Sequence, residues 1–254
     1  MNEEFDNTIF KWASGKKDEI DKGVVANDSK YTLLLSLLDT LSSWAFPNEK
    51  DNRKRFIKLI DEYSDWKLKD RVSLVQLQYL MEKIKIQGQP DYEKLNKEVS
   101  ERLSKWENGK LHRSTDVDPL LSDFDQYKND WIKHLIQAVR YPVLLWAMRN
   151  WSVHSFRQHG FNISNDQSSP YYLGKLEILG INDRKKKYWD LIVPPLVISS
   201  LIDNCVTKLK EHFEKYSIDP DKQIPLLDKC WLSERDIKSL KNKIDRLLTA
   251  SSTK

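Results

Sequence analysis

Apolar side chains recur at three- and four-residue intervals through most of this chain, and the breaks between the periodic stretches are sharp. After the capping residues Asn27, Asp28 and Ser29, the run Tyr31, Leu34, Leu35, Leu38, Leu41 and Trp44 keeps helical spacing until Pro47 ends it. A second helix is predicted over 51–66, with Phe56, Leu59, Ile60 and Tyr63 on one face and Arg53, Lys54 and Arg55 near its start. A third is predicted over 73–86. Gly88, Pro90 and Asp91 then break the chain before a charged helix over 92–106. The polar, aperiodic stretch 108–119 reads as an exposed loop. From Tyr127 a long helical period carries Trp131, Leu135, Val139, Val143, Trp146 and Met148, with Pro142 placed to kink or split it.

The pattern then changes. Segments 171–179 and 187–193 carry aromatic and β-branched residues around the turn-like Gly180-Ile181-Asn182-Asp183, which predicts a small β-hairpin with the basic run Arg184 to Lys187 at its turn. Residues 160–170 have the composition of a surface loop. Pro194 and Pro195 suit the first turn of a helix whose apolar face is Ile198, Ile202, Cys205, Val206, Leu209 and Phe213. A last helix is predicted from Ser233, with Ile237, Leu240, Ile244 and Leu247 as a stripe. The fold class that follows is mainly α: a helical bundle with a small β-hairpin inserted before the penultimate long helix. We read residues 1–254 as a single helical domain, with a core over 27–216 and helical extensions over 1–26 and 217–254.

Composition narrows this picture. Only seven glycines interrupt 254 residues, and 27 aromatic side chains (nine Trp, ten Tyr, eight Phe) supply a packed interior that disordered chains lack. No apolar run approaches the roughly 20 residues that span a bilayer, and the acidic start Met1 to Asp6 lacks a secretory pattern, so a soluble, cytoplasmic protein is expected. Cys205 and Cys230 are the only cysteines and belong to no Cys-x-x-Cys or Cys/His cluster, which predicts reduced thiols, no metal and no cofactor. A net charge of +4 permits nucleic acid as a partner without demanding it.

One segment looks built for chemistry. Trp146-Ala147-Met148-Arg149-Asn150-Trp151-Ser152-Val153-His154 places ionisable groups at the end of an apolar helix. Asn150 and His154, four residues apart, share a helix face. Arg149 lies about 140° around from His154 at 3.6 residues per turn, so its long side chain, a local bend or a second subunit must bring it to the same site.

Arg-Asn-x-x-x-His resembles the signature of the HEPN superfamily of helical proteins. The likeness covers the layout from about Tyr31 to Tyr216, with Arg149, Asn150 and His154 matched residue by residue. The resemblance implies a HEPN-like core and a metal-independent endoribonuclease, acting on RNA as a homodimer with a composite site at the shared cleft. It also implies a setting in toxin-antitoxin or antiviral defence, with an antitoxin or regulatory protein as a further partner. A neutral imidazole exchanges protons with a ribose 2′-hydroxyl or a leaving 5′-oxygen near neutral pH. Arg149 would hold the phosphate and Asn150 would orient His154 or the phosphate. Arg157 and Ser152 are added as RNA contacts.

Plainer readings stand beside this one. An Arg and a His near a helix end also suit capping of free carbonyls. Trp146 and Trp151, set among apolar neighbours, read as core rather than as base-stacking residues. A HEPN-like module that binds RNA or protein without cleaving it, and a helical scaffold for protein interaction, are the two alternatives to the nuclease.

Overall fold

The computed structural model describes residues 9–23, 27–86, 88–107, 109–155, 168–179 and 184–219. In chain order these form α1 (Ile9–Lys22), α2 (Asn27–Ala45), α3 (Asn52–Tyr63), α4 (Leu74–Ile84), α5 (Pro90–Ser104), β1 (His112–Arg113) and α6 (Ser114–Val117). A 3-10 turn (Leu121–Phe124), α7 (Asp130–Ala138), α8 (Tyr141–Ser155), β2 (Tyr171–Leu179), β3 (Arg184–Ile192) and α9 (Pro195–Lys215) follow. The protein is mainly helical, with one small antiparallel sheet in the order β1-β2-β3. Among the described residues no helix is long and apolar enough to cross a membrane. The helix expected from Ser233 lies outside the described residues.

Local chemistry sets the helix ends. Asp51 sits in extended backbone before α3 and its carboxylate accepts from the backbone N–H groups of Arg53 (2.9 Å) and Lys54 (3.2 Å). Such a cap contributes about 1 kcal/mol. Ser73 caps α4 through Gln76 N–H in the same way. The long period predicted from Tyr127 is two helices, split at Val139 and Arg140. Pro142 occupies the second position of α8, where a missing N–H costs nothing. Arg140 in the break is tied to the Asp61 carboxylate at 2.7 Å and to Asp70 at 3.3 Å.

Helix α1 packs on the bundle: Ile9, Phe10 and Ala13 are buried, and Phe10 meets Phe213 of α9 edge-on at 5.5 Å. One buried cluster unites α1, α2, α3, α8 and α9, with Leu38, Phe56, Leu145 and Ile202 wholly inside. A second cluster unites α4, α5 and α7 with Tyr172 of β2. Leu191 of β3 packs against both.

The junction between the clusters corrects two expectations. Stretch 108–119, read as an exposed loop, contains β1, α6 and the buried Asp118, 2% exposed. Its Oδ2 accepts from the hydroxyls of Tyr141 and Tyr172, both at 2.6 Å, and its Oδ1 from the backbone N–H of Leu74 at 3.1 Å. Arg71 donates to its carbonyl. Local polarity misled because every side-chain donor to this carboxylate is distant in sequence. The basic run 184–187, expected at the hairpin turn, instead belongs to β3, in a register that pairs Leu179 with Arg184 and Glu177 with Lys186.

Candidate functional site

Helix α8 packs on α2 and α3, and it carries Arg149 on that side of the bundle. Over 141–155 its one formal charge is Arg149, and over 31–45 of α2 the one formal charge is Asp39. A charge left alone on an apolar helix face costs several kcal/mol. The fold joins the two: Arg149 Nη2 donates to Asp39 Oδ2 at 2.6 Å, across 110 residues of sequence.

The surroundings of the guanidinium are specific. Its Nη1 donates to the side-chain carbonyl of Asn150 at 3.2 Å. Its Cζ lies over the ring of Trp146, 5.2 Å from the centroid, and that ring rests against Phe56 at 5.4 Å. The side chains of Arg149 and Asp39 are 18% and 16% exposed, so the pair is recessed without being sealed. Arg149 Nε and Asp39 Oδ1 are buried and make no hydrogen bond among the described residues. The pair is therefore bridged once, not in the two-bond fork that arginine and carboxylate commonly form. Three of the five guanidinium N–H groups stay outside the bonds to Asp39 and Asn150.

The proposed site residues fall in different places. Arg149 and Asn150 are together. The backbone of His154 continues α8 one turn beyond Asn150, while its side chain is not among those described. Arg157 lies outside the described residues. Ser152, expected to contact RNA, is 6% exposed and so presents no open hydroxyl at the surface. The two tryptophans expected to be core separate: Trp146 packs inward, whereas Trp151 is 48% exposed. Helical rotation accounts for the difference, since five residues turn the two rings about 140° apart.

Sequence reasoning missed Asp39. The available signal was its isolation, a single carboxylate in fifteen residues of otherwise uncharged helix, which calls for a cation of equal isolation.

Comparison with known proteins adds nothing to this geometry. No protein-family model matches the sequence, and no curated protein or solved structure matches it. The functional reading therefore stands on the residues themselves.

Proposed function

We propose that the protein is a metal-independent endoribonuclease of HEPN type, in which Arg149 holds the scissile phosphate and His154 exchanges the proton. The observation that carries this reading is the held guanidinium. Arg149 is fixed by Asp39, Asn150 and the face of Trp146, yet keeps donors for a phosphate. An arginine ordered before substrate arrives stabilises a developing phosphorane without reorganising at the moment of reaction. Asn150 touches Arg149 and shares a helix face with His154, so it links the phosphate-binding group to the proton-transfer group.

In the proposed reaction the ribose 2′-oxygen attacks the adjacent phosphorus as an imidazole nitrogen accepts its proton. The bond from phosphorus to the 5′-oxygen breaks, and that oxygen takes up a proton as it leaves. The products are a 2′,3′-cyclic phosphate and a 5′-hydroxyl. Two copies of the chain, each contributing one imidazole and one guanidinium to a common cleft, supply the base and the acid. Defence against a virus, or the toxin role in a toxin-antitoxin pair, is the setting we propose, with the cytoplasm as its place.

The silent-module reading draws on the same contact, because Asp39 cancels the charge that Arg149 would offer to a phosphate. Activity decides between them. Purified protein is incubated with a mixed-sequence RNA in EDTA, beside His154→Ala and Arg149→Ala. Cleavage by the parent, lost in both variants with unchanged circular dichroism, is the expected result. RNA bound and left intact by the parent establishes the silent module, and cleavage retained in both variants overturns the site.

A further inference from the structure

We propose that the cavity between α4 and α5 binds a small anionic molecule carrying a planar aromatic ring. The site shares no residue with α8 and does not rest on the ribonuclease reading.

The backbone sets the corner that forms it. Helix α4 ends at Ile84, Lys85 turns the chain in left-handed backbone (φ 47°), Gly88 does so again (φ 72°), and Pro90 opens α5. The Tyr92 hydroxyl donates to the Met81 carbonyl at 2.6 Å and ties the two helices together. Beside this tie lies an open cavity of about 780 Å³, within the roughly 300–1,000 Å³ of small-molecule sites. Met81 and Tyr92, both buried in the second hydrophobic cluster, and Ile86, packed against it, supply the apolar part of the lining.

The polar part is uncommitted. Glu82, Lys85 and Asn96 are exposed, and their side chains make no hydrogen bond or ion pair among the described residues. Lys83 Nζ lies over the ring of Tyr79, 5.3 Å from its centroid, and that ring is 57% exposed. An ammonium and an aromatic ring thus stand together on the lining, with the second ammonium, Lys85, two residues on. Lys85 occupies a helix cap where glycine is the ordinary residue; keeping lysine there gives the cavity a cation that glycine could not. The negative end of a helix dipole disfavours an anion. Here the Met81 carbonyl already accepts from both the Tyr92 hydroxyl and the Lys85 N–H, which takes up part of that charge.

The ligand that suits this lining has an anionic group for Lys83 and Lys85 and a flat ring for Tyr79 and Ile86. The Asn96 amide, both donor and acceptor, suits a polar ring edge. A nucleoside monophosphate and an aromatic carboxylate share this chemistry.

Isothermal titration of the full chain with AMP and with indole-3-acetate separates the two sources. At least one is expected to bind with Kd below about 1 mM. The halves of that ligand, adenosine and inorganic phosphate or indole alone, should bind about tenfold more weakly or worse. Lys85→Gln should weaken binding about tenfold, as loss of a charged hydrogen-bond donor does. Lys85→Gly should lose as much affinity without lowering the urea midpoint, because glycine adopts left-handed backbone freely. Tyr79→Ala should cost about fivefold and Tyr79→Phe less than about twofold. Arg149→Ala should bind as the parent does. The proposal is overturned if neither probe binds, or if both Lys85 variants bind as the parent does. Binding lost in Arg149→Ala but kept in the Lys85 variants would place the ligand on α8 and equally overturn it. RNA cleavage is measured separately, so failure here leaves the ribonuclease reading standing.

Discussion

Asp118 and Asp39 are both carboxylates held inside a largely helical protein, and they are held in opposite ways. Asp118 meets two tyrosine hydroxyls and a backbone N–H, with Arg71 on its own carbonyl, at the junction of two hydrophobic clusters. Both of its carboxylate oxygens are bonded by the chain. Asp39 meets one guanidinium nitrogen; its second oxygen has no partner among the described residues, and beside it stands Arg149 with donors to spare. A buried acid whose partners are complete is a fastening. One that holds a half-used arginine at the edge of solvent has the makings of a site, because something outside the chain can complete it.

The largest expected effect follows from the completeness of Asp118. Asp118→Ala takes the acceptor from the Tyr141 hydroxyl and the Leu74 N–H, at about 1–3 kcal/mol each, while the Tyr172 hydroxyl keeps Ser73 Oγ at 2.8 Å, so a total loss of about 4 kcal/mol is expected in urea unfolding. A loss below about 1 kcal/mol would show that the junction does not depend on this carboxylate. The next effect is its pH dependence. Burial pushes the Asp118 carboxyl up to about 6 from an ordinary 3.8, against the opposing pull of Tyr141, Tyr172 and Leu74. The protonated acid is thus favoured in the fold. Its contribution to stability is complete below pH 3.8, declines as pH rises toward 6 and is gone above that. The difference corresponds to about 3 kcal/mol. Unfolding of Asp118→Asn compared with the parent across this window isolates the change, and a constant difference between the two would contradict it.

Effects at the other acid are smaller in stability and larger in function. A double-mutant cycle on Asp39→Ala and Arg149→Ala should give a coupling of about 1–2 kcal/mol, since each single change strands a recessed charge that the double change removes. Asp39→Asn should keep the fold and lower RNA cleavage about tenfold or more by loosening the phosphate-binding arginine, while Asp118→Asn leaves the turnover of folded protein unchanged. The smallest effect belongs to Ser152→Ala. Its hydroxyl is closed off from the surface, so cleavage within about twofold of the parent and a stability change near 0.5 kcal/mol are expected. A tenfold loss of cleavage would return Ser152 to the site.

What was legible in the sequence divides along the same line. Helices such as α2, α3 and α9 are written in local periodicity, because one buried stripe per helix dictates the spacing. Their ends are written in caps and prolines. Asp118 was hidden because its hydroxyl partners lie 23 and 54 residues further along, in α8 and β2, and its own neighbourhood is polar. Arg149 and Asn150 were legible as a motif, yet the carboxylate that holds Arg149 is 110 residues away. Trp151 was misread for a related reason. Apolar neighbours in sequence suggested burial, but the face a residue takes on α8 depends on where α2 and α3 pack, which no window of fifteen residues contains.

One comparison of substrates tests the central claim most directly. A single-stranded RNA and the same sequence with every ribose 2′-O-methylated are incubated with the protein in EDTA, and the new 3′ ends are analysed. Cleavage of the RNA alone, leaving a 2′,3′-cyclic phosphate, is the expected result. Cleavage of the methylated strand, a need for a divalent metal, or no cleavage of either strand by folded protein would contradict a site in which Arg149 and His154 drive attack by the 2′-oxygen.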